Sequence, residues 1–248
     1  MSSHIIEFND VSFSYANGVK ALNKISFTIG EGEKVALLGK NGAGKSTLLQ
    51  LTNGLLLPSE GEINVAGVNL TKKTLRRIRE IVGMVFQNPD DQLFMPTVEE
   101  DVAFGPLNMK LSEEEVRNRV YMALSTVGCV ELAKRSPMQL SGGQKRRVAI
   151  ATVLSMLPSV MVLDEPTSNL DWAARESVVK MINDFMHTCL IASHDLALIK
   201  KVCNRGIILS EGQLLFDAPI NEIFNSRKAL QLLGISMEGL SEMCICGG

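Results

Sequence analysis

Near its start the chain reads Gly39-Lys40-Asn41-Gly42-Ala43-Gly44-Lys45-Ser46-Thr47, between the apolar runs Val35-Ala36-Leu37-Leu38 and Leu48-Leu49-Gln50-Leu51. This order predicts a strand, a glycine-rich turn and a helix, which is the setting of a P-loop. Gly39, Gly42 and Gly44 permit backbone conformations closed to residues with a Cβ, so successive N–H groups can converge on an anion at the helix N-terminus. We therefore expect the loop to hold a triphosphate. The alternative is a glycine-rich turn that contains Lys-Ser by chance.

The last residues of this segment carry side chains that suit a bound triphosphate. Lys45 would bring a positive charge to the β- and γ-phosphates. The Ser46 hydroxyl would supply an oxygen ligand for a Mg²⁺ ion that bridges those phosphates. The segment thus predicts a nucleotide site with Mg²⁺ as its metal.

Length and charge narrow the class of protein. With 248 residues the chain is long enough for one large α/β domain, or for a core domain with an inserted subdomain. The 25 basic and 27 acidic side chains leave a net charge of −2, which provides no basic footprint for nucleic acid. No apolar run approaches the roughly 20 residues of a membrane span, and the start Met1-Ser2-Ser3-His4 does not resemble a signal peptide. We therefore expect a cytosolic protein that does not bind nucleic acid.

Five cysteines are scattered through the chain, at Cys129, Cys189, Cys203, Cys244 and Cys246. An odd number fits a reducing compartment and argues against a disulfide framework, so plain thiols are expected. The pair Cys244 and Cys246 could instead chelate a soft metal, although no histidine lies nearby in the sequence.

Alternating apolar and polar residues begin the chain. They occur in Ile6-Glu7-Phe8 and in Ile25-Ser26-Phe27-Thr28-Ile29, with Asn17-Gly18 as a turn between them. This pattern predicts an antiparallel β layer. Tyr15 lies just outside these strands, where its ring could stack on a nucleotide base or could pack on the rim of the sheet.

Residues 88 to 157 differ from the strand-rich chain before them. Asn88-Pro89-Asp90-Asp91-Gln92 predicts a loop, and Thr97-Val98-Glu99-Glu100 and Ser112-Glu113-Glu114-Glu115 are capping-box signals for two helices. We interpret this segment as a helical subdomain inserted into a core of residues 1–87 and 158–235, with a tail at 236–248. Upstream, the basic run from Lys72 to Arg79 predicts a solvated helix face, and Ile81 to Phe86 predicts a strand.

A further helix is predicted to begin at Leu140-Ser141-Gly142-Gly143-Gln144 and to run to about Met156. A serine and two glycines at a helix N-terminus can form a second anion-binding site. The alternative is an ordinary N-cap at Ser141 followed by glycines.

Two carboxylates and a histidine end the next buried strands. Val160-Met161-Val162-Leu163 is an unbroken apolar run, typical of a central parallel strand, and Asp164-Glu165 follow it. Ligands of open α/β sheets bind at the carboxyl ends of strands. We therefore predict that Asp164 holds Mg²⁺ through water and that Glu165 accepts a proton from the attacking water. His194 follows the strand Leu190-Ile191-Ala192-Ser193 at the same edge and is predicted to contact the γ-phosphate. The carboxylates could otherwise cap the next helix, and His194 could be structural.

These motifs, taken in chain order with Gln87 and Asp171, resemble those of the ATP-binding cassette ATPases over roughly residues 4 to 230. The resemblance implies a P-loop NTPase core, bound ATP and Mg²⁺, and ATP hydrolysis. By position, Tyr15 resembles the adenine-stacking aromatic, and Ser46, Gln87 and Asp164 resemble the Mg²⁺ contacts. Glu165 is similar to the catalytic glutamate, and His194 is similar to the switch histidine.

The resemblance also implies a dimer. In that family the residues that correspond to Leu140-Ser141-Gly142-Gly143-Gln144 contact the nucleotide of the opposite subunit, and the aspartate that matches Asp171 lies at the dimer contact. A working site would therefore combine two ATPase chains, either two copies of this chain or this chain and a related one.

A narrower likeness lies in the segment from Phe86 to Phe94 and in the segment from Thr97 to Pro106. Both are similar to the ATPase subunits of energy-coupling-factor importers, which take up metal ions and vitamins. This implies integral membrane partners and a peripheral position on the cytoplasmic face of the membrane. One departure is Ser168-Asn169-Leu170-Asp171-Trp172, where that branch more often has glycine before the leucine and proline after the aspartate.

Other functions compete with that of a transport motor. A soluble ATP-gated assembly factor would carry the same motifs, whereas a regulator that no longer hydrolyses is disfavoured by intact Lys45, Asp164, Glu165 and His194. A GTPase is disfavoured because no Asn-Lys-x-Asp motif follows the P-loop.

For a motor, we expect the loop tip Leu93-Phe94-Met95 to face solvent and to receive a membrane subunit. The alternative is that Phe94 packs into the helical subdomain.

Overall fold

The computed structural model describes residues 4–235, which form ten strands and nine α-helices. The strands, in chain order, are β1 (His4–Ser14), β2 (Lys20–Gly30), β3 (Lys34–Leu38), β4 (Glu60–Val65), β5 (Val68–Asn69), β6 (Val82–Val85), β7 (Val160–Asp164), β8 (Thr188–Ala192), β9 (Arg205–Ser210) and β10 (Gln213–Pro219). The helices are α1 (Lys45–Thr52), α2 (Leu75–Ile81), α3 (Val98–Asn108), α4 (Glu113–Thr126), α5 (Gly142–Leu154), α6 (Trp172–Asp184), α7 (Leu196–Val202), α8 (Ile220–Asn225) and α9 (Arg227–Leu233).

The strands form two sheets. One is antiparallel, with the order β2-β1-β4-β5, and the other has the order β10-β9-β3-β8-β7-β6. In the larger sheet the five strands from β9 to β6 are parallel, and only β10 at the edge is antiparallel. The predicted α/β fold with an added antiparallel layer is confirmed.

The parallel strands are apolar on both faces because each face is covered. In β3, Val35 and Leu37 pack toward the antiparallel sheet, α1 and α2, whereas Ala36 and Leu38 pack toward the remaining helices. β7 alternates in the same way. This two-sided burial explains why these strands read as unbroken apolar runs rather than as alternating ones.

The segment between β6 and β7 contains α3, α4 and α5 and no strand. Thr97 caps α3 with a reciprocal capping box to Glu100, and the Ser112 hydroxyl caps α4 by accepting from the Glu115 N–H, as their spacing predicts. The apolar residues of these helices are continuous with one face of the large sheet. The division into a core and an inserted subdomain therefore stays a prediction.

Some predicted boundaries differ from the structure. Ile81 ends α2 and does not begin a strand, because its side chain completes the apolar face that α2 presents to the sheet. The tail at 236–248, with Cys244 and Cys246, lies outside the described residues. The longest helix of residues 4–235 is α4, with 14 residues, and no helix in this range has the length and hydropathy to cross a bilayer.

Candidate functional site

Three neighbouring strands bring the predicted site residues to one edge of the large sheet. β3, β8 and β7 are adjacent and parallel, so the P-loop after β3, Asp164 and Glu165 at the end of β7, and His194 after β8 converge. They border a cleft of about 630 Å³. Its lining also contains the predicted residues Tyr15, Asn41, Gly42, Gly44, Lys45, Ser46, Thr47 and Gln87.

The P-loop requires glycine at two positions for clear steric reasons. Gly39 has φ = +146°, and a Cβ there would lie 2.3 Å from the Leu209 carbonyl oxygen. Gly44 has φ = +104°, and its Cβ would lie 2.7 Å from the Ala21 carbonyl oxygen. Larger residues would therefore push the loop away from the sheet and destroy its curvature. Gly39, Lys40 and Ala43 support the loop without lining the cleft.

Lys45 begins α1 and folds back over the loop. Its Nζ donates to the carbonyl oxygens of Gly39 at 2.6 Å and Lys40 at 3.1 Å. Burial lowers the pKa of Lys45, and the charges of Glu165 and Asp164 oppose this shift. A bound anion would stabilise the charged ammonium of Lys45 in place of the water that burial removes.

Asp164 and Ser46 place two side-chain oxygen atoms next to each other. Asp164 is buried, and its carboxylate accepts a hydrogen bond from the Ser46 hydroxyl. Burial raises the pKa of Asp164, while this hydrogen bond and the charges of Lys45 and Arg146 oppose the rise. Within residues 4–235 no cluster of three or more His, Cys, Asp or Glu side chains could enclose a metal. A hydroxyl, a carboxylate and the nearby Gln87 amide fit Mg²⁺, which takes few protein ligands beside phosphate oxygens and water.

Glu165 is held in an unusual position. Its backbone φ is +46°, and its Oε2 accepts hydrogen bonds from the Ser193 hydroxyl and the His194 N–H, both at 3.2 Å. Its Oε1 is buried without a hydrogen-bond partner and lies 3.6 Å from His194 Nε2, too far for a hydrogen bond. One oxygen is thus fixed and the other is free to accept a proton from water.

His194 follows β8, and its ring contacts the P-loop. Its Nε2 is 3.0 Å from Asn41 Oδ1 and 3.4 Å from Lys45 Nζ. A phosphate oxygen placed over Lys45 would therefore lie within reach of the same ring nitrogen.

The segment that carries His194 is anchored to α6 by a bidentate ion pair. Arg175 donates through Nε and Nη2 to the two carboxylate oxygens of Asp195, each at 2.7 Å, and Thr167 donates to Oδ2 at 3.0 Å. Burial alone would raise the pKa of Asp195. These hydrogen bonds and that from the Leu198 N–H outweigh burial and hold the pKa below its ordinary value.

Tyr15 stands at the open end of the cleft. Its ring is 40% exposed and meets Phe13 edge-on, and its hydroxyl shares a 2.8 Å hydrogen bond with Thr47 Oγ1. The ring is therefore positioned by contacts on one side and accessible on the other. Stacking on a base stays a prediction.

The segment Leu140-Ser141-Gly142-Gly143-Gln144 does not line the P-loop cleft. Ser141 is the N-cap of α5 and forms a capping box with Gln144, so the alternative of an ordinary cap describes its bonds within one chain. Leu140 is buried, whereas Ser141 and Gly142 are exposed. Asp171 is also exposed, as the N-cap of α6. Asp171, like the segment from Leu140 to Gln144, does not line the chain's own P-loop cleft.

Besides Val19, Lys20 and Ala21, which line the cleft, three further residues were not singled out from the sequence. Ser193 supports Glu165, Ser168 lines the cleft, and Arg146 holds the backbone next to Gln87. Arg146 and Arg147 directly precede the apolar helix residues 148–151, but the partners of Arg146 lie 22 to 60 positions away, so no local pattern identifies them.

The glycine-rich loop, the acidic strand end and the parallel sheet define a nucleotide-binding P-loop protein. Comparison with protein families matches residues 22–168 to the ABC transporter family. A Geobacter sulfurreducens protein whose name describes an ABC transporter ATP-binding protein is 48% identical over 248 residues, the whole of both chains. The energy-coupling factor transporter ATP-binding protein EcfA1 of Methanospirillum hungatei is 41% identical, over 97% of this chain and 88% of its own length.

Solved structures agree with this relationship. CbiO1 from Clostridium perfringens, part of the ABC transporter complex cbiONQ, has a TM-score of 0.80 and 36% identity over 98% of this chain and 99% of its own. A dimeric post-hydrolysis state of the ATP-binding cassette MJ0796, bound to ADP and Pi, has a TM-score of 0.78 and 30% identity over 87% and 98%. The chain belongs to the ABC transporter family and is an ATP-binding ATPase.

Proposed function

We propose that this protein is the ATP-hydrolysing motor of an energy-coupling-factor importer that takes up a metal ion or a vitamin. One observation carries the catalytic part of the proposal: Lys45, Ser46, Asp164, Glu165 and His194 border a single cleft at the carboxyl edge of the sheet. The likeness to EcfA1 and to CbiO1 supports the transport part.

In this proposal each side chain has one task. The P-loop N–H groups and Lys45 bind the phosphates, and Tyr15 stacks on the adenine. Glu165 accepts the proton of the attacking water at Oε1, while Ser193 and His194 keep the carboxylate in place through Oε2. The His194 ring contacts the γ-phosphate.

Ser46, Asp164 and Gln87 would hold Mg²⁺. The ion would neutralise charge between the β- and γ-phosphates. A cation there would act together with the charges of Lys45 and Arg146 to favour the ionised form of Asp164.

The complete site contains two chains. Ser141 to Gln144 do not line the chain's own cleft, and we propose that they contact the γ-phosphate bound by a second ATPase subunit, with Asp171 at the same interface. The dimeric state of the similar cassette MJ0796 supports this arrangement.

An exposed apolar patch provides a site for the membrane subunit. Phe94 is 63% exposed and meets Phe104 edge-on with ring centroids 5.0 Å apart, and Leu107 is also exposed. Asp101 fixes this loop by accepting from the N–H groups of Phe94 and Met95. The expectation that the whole tip faces solvent is wrong for Leu93, which is buried because it packs among the helices.

The patch lies just beyond Gln87 in the chain, so a membrane subunit seated there could respond to the nucleotide. We infer a position at the cytoplasmic face of the membrane, with the protein held there by its partners. The patch indicates a protein partner, and the likeness to EcfA1 and CbiO1 favours a membrane subunit over a soluble one as that partner.

The proposal is tested by isolating the tagged protein from its native membranes and assaying the complex. We expect integral membrane subunits and a second ATPase to copurify, and we expect Mg²⁺-dependent ATP hydrolysis that EDTA abolishes. Purification without a membrane subunit, with full ATPase activity, would favour the assembly factor.

A further inference from the structure

Arg146 is a buried arginine of α5 whose guanidinium reaches the segment that follows β6. The residue is 2% exposed. Its Nη1 donates to the Phe86 carbonyl oxygen at 2.6 Å, its Nη2 donates to the Gln87 carbonyl oxygen, and Nη2 also lies 3.4 Å from Ser168 Oγ. A single side chain thus joins the helix that begins at Ser141 to the backbone of Gln87.

Burial of the Arg146 guanidinium costs free energy, because it removes a charged group from water. Burial lowers the pKa of Arg146, and the charges of Asp164 and Glu165 oppose the shift. Its Nε is buried without a hydrogen-bond partner. The two carbonyl bonds of the guanidinium hold the backbone of Phe86 and Gln87 in a fixed position relative to α5.

Two further residues of the same segment, Asp90 and Gln92, are bonded to α5. Lys145 Nζ lies 2.6 Å from Asp90 Oδ1. Gln92 accepts from the Phe86 N–H at 3.1 Å and donates to the Ala149 carbonyl oxygen and to Thr152 Oγ1, each at 2.8 Å. Residues 86 to 92 are therefore bonded to α5 at both ends and in the middle.

We propose that Arg146 is a positioning residue that makes Gln87 and the N-terminus of α5 move as one unit. This inference rests on the proposed function, in which Gln87 serves the nucleotide of its own chain and Ser141 to Gln144 serve that of the partner. Arg146 would then transmit a shift of Gln87 at one site to the residues that complete the other site.

The chain offers a matched control. Arg147 is the next residue of α5, and its guanidinium donates to the Val127 and Gly128 carbonyl oxygens, away from Gln87. Replacement of either arginine by methionine removes one charge and one set of carbonyl contacts while it keeps most of the aliphatic stem. Only the Arg146 change touches residues 86 to 92.

The first measurement is amide hydrogen exchange of residues 86–92 in the nucleotide-free protein. We expect about tenfold faster exchange in Arg146→Met and wild-type exchange in Arg147→Met, because only the former loses charge-assisted bonds to this segment. Unchanged exchange in Arg146→Met would overturn the proposal. This readout requires neither hydrolysis nor a membrane partner, so it remains valid even if the proposed importer function is wrong.

The second measurement separates turnover from binding. We expect turnover at saturating ATP to fall about 20-fold in Arg146→Met and about threefold in Arg146→Lys, since lysine can restore one carbonyl contact but not the fork. The Kd of the dilute protein for ATP should stay within about twofold, because Arg146 lies outside the P-loop. Equal turnover in the methionine and lysine variants would assign Arg146 to space filling. An equal loss of turnover and of ATP affinity would indicate a general structural defect. Either result would overturn the proposal.

Discussion

Replacement of Glu165 by glutamine isolates the proton-accepting step. The two side chains have the same shape, and the remaining carbonyl oxygen of glutamine can still accept from the Ser193 hydroxyl and the His194 N–H. The new NH₂ group takes the place of Oε1, which has no hydrogen-bond partner to lose. Folding and the shape of the cleft should therefore be preserved.

The expected loss follows from the removal of a general base. Such groups contribute about 10² to 10⁴ in rate, so the barrier should rise by about 3 to 5 kcal/mol. ATP affinity should be unchanged or higher, because one negative charge beside the phosphates has been removed.

Lys45→Ala should show the opposite pattern. Its Nζ is held over the loop by the Gly39 and Lys40 carbonyl oxygens, so it is already in place for the phosphates. Loss of a charge-assisted contact worth about 1.5 to 3 kcal/mol should weaken ATP binding about 10- to 150-fold.

The assay combines phosphate release at saturating ATP with titration of a fluorescent ATP analogue. Turnover of Glu165→Gln within about twofold of wild type, with Mg²⁺ present, would refute Glu165 as the general base. Loss of nucleotide binding in the same variant would show that the cleft had not been preserved.

Three further outcomes are expected. Ser141→Arg should abolish hydrolysis and leave ATP binding to the dilute monomer intact, and turnover per subunit should fall on dilution; a rate that is constant on dilution would argue against a two-chain site. Phe94→Asp should keep the fold and ATP binding but reduce assembly with the membrane subunits and solute uptake, whereas normal uptake by a normally assembled complex would exclude the patch. Arg175→Met should lower the free energy of unfolding by about 2 kcal/mol at pH 7. Because the pair holds the pKa of Asp195 below its ordinary value, this difference should shrink as the pH falls below about 4 and Asp195 is protonated; a difference that is constant from pH 7 to pH 3 would contradict that reasoning.

Much of the fold could be predicted because its signals are local. The apolar run at Val160 to Leu163 indicates a covered parallel strand, and the spacing of Thr97 and Glu100 indicates a helix start; β7 and α3 bear out both. The end of α2 was less predictable, since Ile81 is equally suited to a strand and to the apolar face of a helix.

The exposure of the loop after Gln87 could not be predicted from its composition. Leu93 and Phe94 are adjacent and both apolar, yet Leu93 is buried and Phe94 is exposed. Their difference depends on which side of this turn faces the helices, and that is a property of packing between segments distant in the chain.

The amino-acid sequence alone determined which chemical groups are present and their order along the chain: a phosphate loop, two carboxylates and a histidine, each after an apolar strand. Strand order is what only the tertiary structure decided. Because β3, β8 and β7 are neighbours, Asn41 and His194, which are 153 positions apart, meet at one edge, and Glu165 is held by Ser193. The role of Arg146 was decided in the same way, since its carbonyl partners are backbone atoms that carry no signature in the sequence.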